Sequence, residues 1–186
     1  YDSLQVRLQR RFVDGLAFTV AYTWSSAGGD FLDHLSAGGG AIGNTPQNAY
    51  DMAADYGPLP FDVPHRLVTS FIYELPFGPG RRVATAGVLG AIVRDWSVNG
   101  ILTLSSGLPF TVTSADRAGT GTGRYQRANC TGDPLPSGFD QGLDAWFDTS
   151  AFAQPASFTY GDCSYNSLRG PTSKSMNLSI FRTIPL

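Results

Sequence analysis

Leu16-Ala17-Phe18-Thr19-Val20-Ala21-Tyr22-Thr23-Trp24-Ser25 alternates without a fault. Leu16, Phe18, Val20, Tyr22 and Trp24 stand on one side, and Ala17, Thr19, Ala21, Thr23 and Ser25 on the other. A period of two is that of a β-strand with one greasy and one more polar face. About ten residues is also what a tilted strand needs to cross the hydrocarbon layer of a bilayer. Tyr22 and Trp24, the two amphipathic aromatics, end the stretch where a membrane interface would lie. It reads as a lipid-facing strand.

Working outward, four more segments fit the same template, which gives strands near 3–11, 16–25, 65–75, 96–112 and 174–181. In the first, Leu4, Val6 and Leu8 oppose Arg7 and Gln9, and Asp14-Gly15 supplies a hairpin turn into the second. In the third, Leu67, Phe71 and Tyr73 oppose Val68 and Ile72, so the phase rests on Arg66 and Glu74. Both are expected to face inward, because a basic side chain facing lipid at mid-membrane costs about 2 to 4 kcal/mol. The fourth places Val98, Leu102 and Leu104 outward and Asn99 inward, with Gly100 and Gly107 as expected bends or bulges. The last turns Met176, Leu178 and Ile180 outward and Asn177 inward. The expected lipid-facing set is thus Leu16, Phe18, Val20, Tyr22, Trp24, Val98, Leu102, Leu104, Met176, Leu178 and Ile180. The expected lumen-facing set is Arg7, Gln9, Arg66, Glu74, Asn99 and Asn177.

Composition agrees with this reading. Twenty-two Gly and 12 Pro among 186 residues, with 15% charged, describe a turn-rich all-β chain rather than a helical bundle. A formal charge of -2 with scattered Lys and Arg offers no footprint for nucleic acid. The longest apolar run, Val83 to Val93, is too short to span a bilayer as a helix and lies between Arg82 and Arg94, where a short helical turn is expected. Alternation dilutes hydropathy in every strand of a barrel, so a modest overall value does not argue against one.

The connectors alternate short, long, short, long, which is the rhythm of an outer-membrane barrel. The expected fold is therefore all-β: an antiparallel transmembrane β-barrel segment, about five strands of a larger barrel, with two long extracellular loops, roughly Ser26 to Val63 and Thr113 to Ser173. Residues 1–186 are read as part of one barrel domain and as an internal piece of a longer chain. Tyr22, Trp24 and Phe110 are expected in the outer aromatic girdle, and Tyr73, Phe77, Trp96 and Phe181 in the inner one. Pro109 cannot donate to a ladder, so pairing is expected to break there.

Six stretches carry a family likeness: Asp62-Val63-Pro64-His65-Arg66, Tyr73-Glu74-Leu75-Pro76-Phe77-Gly78, Trp96-Ser97-Val98-Asn99-Gly100, Ser106-Gly107-Leu108-Pro109-Phe110-Thr111-Val112, Phe147-Asp148-Thr149-Ser150-Ala151-Phe152 and Leu168-Arg169-Gly170-Pro171. In that order they resemble the Oar-like TonB-dependent outer-membrane receptors, over the chain from about Tyr50 to its end. The resemblance implies a barrel of about 22 strands with an N-terminal plug. It implies residence in the bacterial cell outer membrane and energised uptake of a scarce nutrient, such as a siderophore or an oligosaccharide. The implied partners are outer-membrane lipid, the remaining strands and plug of the full-length chain, and TonB acting through the missing N-terminal part. The matched stretches are strand and turn motifs, and no ligand-binding residue is carried over from the family.

The remaining signals are weaker. Gly38 to Gly43 has the glycine spacing of a dinucleotide loop, but neither a strand before it nor a helix after it, and reads as a loop. Asp30, Asp33 and His34, with Asp51 and Asp55 farther on, offer oxygen donors for an external cation, against the simpler reading of a solvated acidic loop. His65 reads as an interfacial or lumen residue rather than a metal ligand. Asp140, Asp144 and Asp148 would share a helical face, yet Gly138 and Gly142 weaken a helix there and no nucleophile accompanies them. Neither a catalytic residue, a cofactor nor a metal is expected. Cys130 and Cys163 either pair in an oxidising compartment or stay as two thiols. The alternative function is a soluble, secreted, carbohydrate-binding β-sandwich, which would bury its apolar face and be monomeric in water.

Overall fold

The computed structural model describes residues 1–30, 46–48, 50–77, 83, 87–116, 119 and 125–183. In chain order the strands are β1 (Asp2–Val13), β2 (Leu16–Ser26), β3 (Gly28–Gly29), β4 (Gly57–Pro58), β5 (His65–Glu74), β6 (Trp96–Ser105), β7 (Pro109–Phe110), β8 (Thr113–Ala115), β9 (Tyr125–Arg127), β10 (Asn129–Cys130), β11 (Phe152–Ala153), β12 (Leu168–Arg169) and β13 (Ser173–Arg182), with an α-helix, α1 (Gly87–Val93), before β6 and short 3₁₀ turns at Met52–Asp55 and Thr149–Ala151. The chain divides into two compact units. One comprises 2–25, 64–106 and 172–186. The other comprises Tyr1 with 26–63 and 107–171.

The first unit is a five-stranded sheet in the order β1-β2-β5-β6-β13. Asp14 (φ +53°) and Gly15 (φ +81°) both adopt the left-handed backbone that a two-residue hairpin turn with the strands' own twist requires. β1 runs twelve residues and its neighbour eleven. From β2 onward the registers are fixed and antiparallel: Phe18 opposes Phe71, Phe71 opposes Gly100, and Gly100 opposes Leu178. Gly100 therefore sits in an unbroken ladder, not at the expected bend. A Cβ there would run into the Phe71 ring and stand 2.9 Å from Leu178 Cδ2, so the missing side chain makes room for the aromatic.

The fourth strand is shorter than its alternation suggested. Its ladder stops at Ser105, and Pro109-Phe110 pairs instead with Leu168-Arg169. Proline's missing N–H explains the break. Gly107 completes it, because a Cβ at that position would collide with the Gly170 carbonyl.

The second unit, the loop body, is built from the two segments expected to be irregular. Four two-stranded pairs stitch it together: β3 with β4, β7 with β12, β8 with β9 and β10 with β11. Their lengths of two or three residues left no periodicity to read. Apart from glycines, Ser25 is the single buried residue that the sheet unit contributes among the described residues. Ala27, Gln47, Asp55, Asp62, Gln126, Arg127, Ala128, Ala151, Cys163, Tyr165, Asn166 and Leu168 are buried in the loop body.

Candidate functional site

The sheet has two unlike faces. Because directly opposed residues share a side, the registers collect Leu16, Phe18, Val20, Tyr22 and Trp24 with Leu67, Phe71 and Tyr73, with Val98, Leu102 and Leu104, and with Met176, Leu178 and Ile180. All eleven residues expected to face lipid lie on this one side. Many of them are open, including Trp24 (56% exposed), Met176 (58%) and Ile180 (65%). Rows of large apolar side chains in the open are unstable in water and mark a surface meant for another medium or partner.

The opposite side carries Thr19, Thr23, Ser70, Arg66, Glu74, Asn99, Thr103, Ser105, Asn177 and Ser179. Arg66, Glu74, Asn99 and Asn177 thus share one face. Gln9 borders the same cleft, an open concavity of about 660 Å³ lined by Thr19, Ser70, Asn99, Asn177 and Ser179, while Arg7 is exposed on β1. The third strand's phase follows directly: Val68 and Ile72 stand opposite Thr103 and Asn99 on this polar side. Phe181 departs from the expected girdle. It opposes Ser97 and so lies across the sheet from Trp96.

Each end of the apolar face closes with aromatics and a base. At the end from which the long segments leave, the Tyr22 hydroxyl lies 2.8 Å from His65 Nδ1, and the two rings stack at 6.2 Å. At the short-turn end, the Arg182 guanidinium stands 5.9 Å over the Trp96 ring, and Trp96 Nε1 donates to the Ile92 carbonyl at 2.7 Å.

The loop body is held by buried polar chemistry. Arg127 Nη1 pairs with Asp55 Oδ1 at 3.1 Å, both side chains at least 96% buried, and also donates to the Ala54 carbonyl at 2.6 Å. Gln47 ties the ends of this arrangement. Its backbone N–H donates to Asp55 Oδ2 at 2.9 Å, its Nε2 donates to the Gly161 carbonyl at 2.9 Å, and its Oε1 accepts from the Arg127 N–H at 2.8 Å. A second ion pair joins Asp62 to Arg169. Asp62 Oδ1 accepts from the Ala27 N–H at 2.6 Å, and the Arg169 carbonyl accepts from Trp146 Nε1 at 2.6 Å. Cys130 and Cys163 form a disulfide.

These contacts join motifs that are far apart in the chain. Asp62 comes from one family-like stretch and Arg169 from another. The Phe110 ring packs on Phe147 at 6.0 Å, and Phe147 on Phe152 at 5.5 Å. Phe110 therefore packs within the loop body rather than in the expected outer girdle. Asp148 caps a 3₁₀ turn. Its Oδ1 accepts from the Ser150 hydroxyl at 2.7 Å and the Ser150 N–H at 2.9 Å, and those two bonds hold its carboxyl below the usual range.

The expected chemistry sorts accordingly. Asp140, Asp144 and Asp148 share no helix. Asp55 is committed to Arg127, and among the described residues no three His, Cys, Asp or Glu side chains converge as metal ligands would. Asp33, His34 and the Gly38–Gly43 run lie outside the described residues. Gln47, Arg127 and the Asp62–Arg169 pair were not legible as partners. The one available signal was that the loop body's four basic residues, all Arg, stand among eleven Asp, with neither Lys nor Glu. The loop body carries seven negative charges in excess, and the sheet unit, with nine basic residues against four acidic, five positive.

Among the described residues, no helix is long and apolar enough to cross a membrane, which says nothing of strands. One family model, described as an outer membrane beta barrel domain, matches residues 1–186. No curated protein and no solved structure matches the chain.

Proposed function

The chain belongs to the outer membrane beta barrel domain family and resides in the bacterial outer membrane, and from that premise we propose that it is part of a TonB-dependent receptor. The receptor takes up a scarce nutrient with energy delivered from the inner membrane. The family-like stretches support this reading, since Asp62 near the end of the first long connector pairs with Arg169 near the end of the second, as parts of one design rather than chance matches. On this reading the apolar face meets lipid, the cleft face lines the lumen, and the loop body stands outside the cell. The role is transport and not catalysis.

The observation that carries the membrane part is the shared register of the eleven apolar residues on three strands, joined through Leu67, Phe71 and Tyr73 of β5. Family membership disfavours the soluble sandwich, whose second layer would cover those residues. The transport part is tested in cells carrying the full-length gene, by following uptake of ferric chelates, cobalamin and oligosaccharides with and without TonB. Accumulation of one of these that stops when TonB is removed is the expected result. Accumulation indifferent to TonB overturns energised uptake while leaving the barrel intact.

A further inference from the structure

The four strands with fixed registers each place five residues on the apolar face. Of those twenty, three are basic, His65, Lys174 and Arg182, and none is acidic. Their positions are not scattered. Lys174 shares the row Tyr22-Leu67-Leu104-Lys174, and His65 occupies the next row outward, opposite Trp24. Arg182 ends the face at the other rim, opposite Trp96. Every row between is free of charge.

Such a distribution is what a bilayer with anionic headgroups selects. Charge is excluded from the hydrocarbon and tolerated at its borders, and at the borders the sign is decided by lipid phosphates, which attract bases and repel carboxylates. At the long-segment rim the geometry is also prepared. The Tyr22 hydroxyl engages His65 Nδ1 at 2.8 Å and leaves Nε2 as the ring nitrogen on the far side from Tyr22. Two strand intervals, about 10 Å, separate the strand of His65 from that of Lys174.

We infer that the His65 and Lys174 rim binds the phosphate-bearing headgroup of an anionic membrane lipid. The occupant is fixed by charge complementarity: Lys174 and His65 at this rim, no acid among the twenty residues of the face, and an apolar band below for the acyl chains. The inference rests on the proposed lipid contact of this face.

The test uses the full-length protein in bilayers of phosphatidylcholine doped with either phosphatidylglycerol or lipid A, with retained lipid counted by native mass spectrometry. Lys174→Gln lowers retention of the anionic lipid about five-fold, the equivalent of the roughly 1 kcal/mol that one base near the surface contributes. Adding His65→Gln lowers it further, and Lys174→Arg restores it. Retention unchanged in the double variant overturns the inference. Displacement of the lipid by inorganic phosphate alone overturns it too, since the site would then hold a free anion. Quenching of Trp24 by brominated acyl chains, in protein whose other tryptophans, Trp96 and Trp146 among them, are replaced by Phe, separates the two levels. Quenching with unchanged lipid retention sinks only the headgroup site, whereas absent quenching sinks the lipid contact beneath it.

Discussion

The sheet and the loop body solve opposite problems. The sheet leaves Leu178, Ile180 and Met176 more than half exposed and buries almost nothing of its own. The loop body buries Asp55, Arg127, Gln126 and Gln47 and little that is large and apolar. A folded unit needs a medium that accepts its outside. The sheet's alternating faces fit one that is hydrocarbon on one side and water on the other. The loop body must build its interior from ion pairs, amide bonds and a disulfide, because short strands and Gly-rich connectors supply too few large apolar groups. Stability therefore comes from solvent matching in one region and from a few specific polar bonds in the other.

That contrast breaks most sharply at the buried ion pair. Asp55→Ala leaves the Arg127 charge buried and alone, at a cost of about 3 to 5 kcal/mol. Proteolysis and hydrogen exchange should find the loop body opened while the full-length barrel keeps its resistance to heating in detergent. Loss of both properties together would mean that the two regions do not draw on separate sources of stability. Next comes the disulfide, which closes a separation of 33 residues. On the chain-entropy account, Cys130→Ser with Cys163→Ser removes about 3 to 4 kcal/mol, again read as exchange confined to the loop body.

The matching change in the sheet is Leu102→Arg, which puts a cation on the apolar face near mid-membrane for about 2 to 4 kcal/mol. Thr103→Arg, its neighbour on the cleft face, should be tolerated. Outer-membrane assembly of the full-length chain reads the difference, and equal assembly would refute the assigned faces. The smallest effect belongs to Asp148. Its lowered carboxyl contributes order that is present above the ordinary value of 3.8 and is lost as pH falls through the lowered one. Exchange at residues 149–151 should rise only in acid, and Asp148→Asn should remove that acid limb.

How much of this was legible depends on the range of the interactions. Every residue of a strand such as Leu16 to Ser25 reports its own face, so the sheet could be read locally and its faces agree with the registers found. The third strand's phase needed its neighbours, because Val68 and Ile72 are as apolar as Leu67 and Phe71. Only pairing with Thr103 and Asn99 settles them. Phe181 misled because aromatic character alone does not report parity. The loop body was unreadable for a different reason: Gln47 meets Gly161 across 114 positions and Asp62 meets Arg169 across 107, and such contacts leave no periodic trace. Phe110 went to the wrong region on the same account, since its partners Phe147 and Phe152 lie on a distant stretch. Pro109 succeeded because a missing N–H acts locally.

The uneven split of charge described above has a kinetic consequence. With seven surplus carboxylates and its Arg127 and Arg169 guanidiniums tied up in ion pairs, the loop body presents a net negative field. Polyanions arriving through solution are slowed and cations are hastened, over a range of about 8 Å at physiological ionic strength. Added salt flattens that preference, so it is strongest in dilute surroundings.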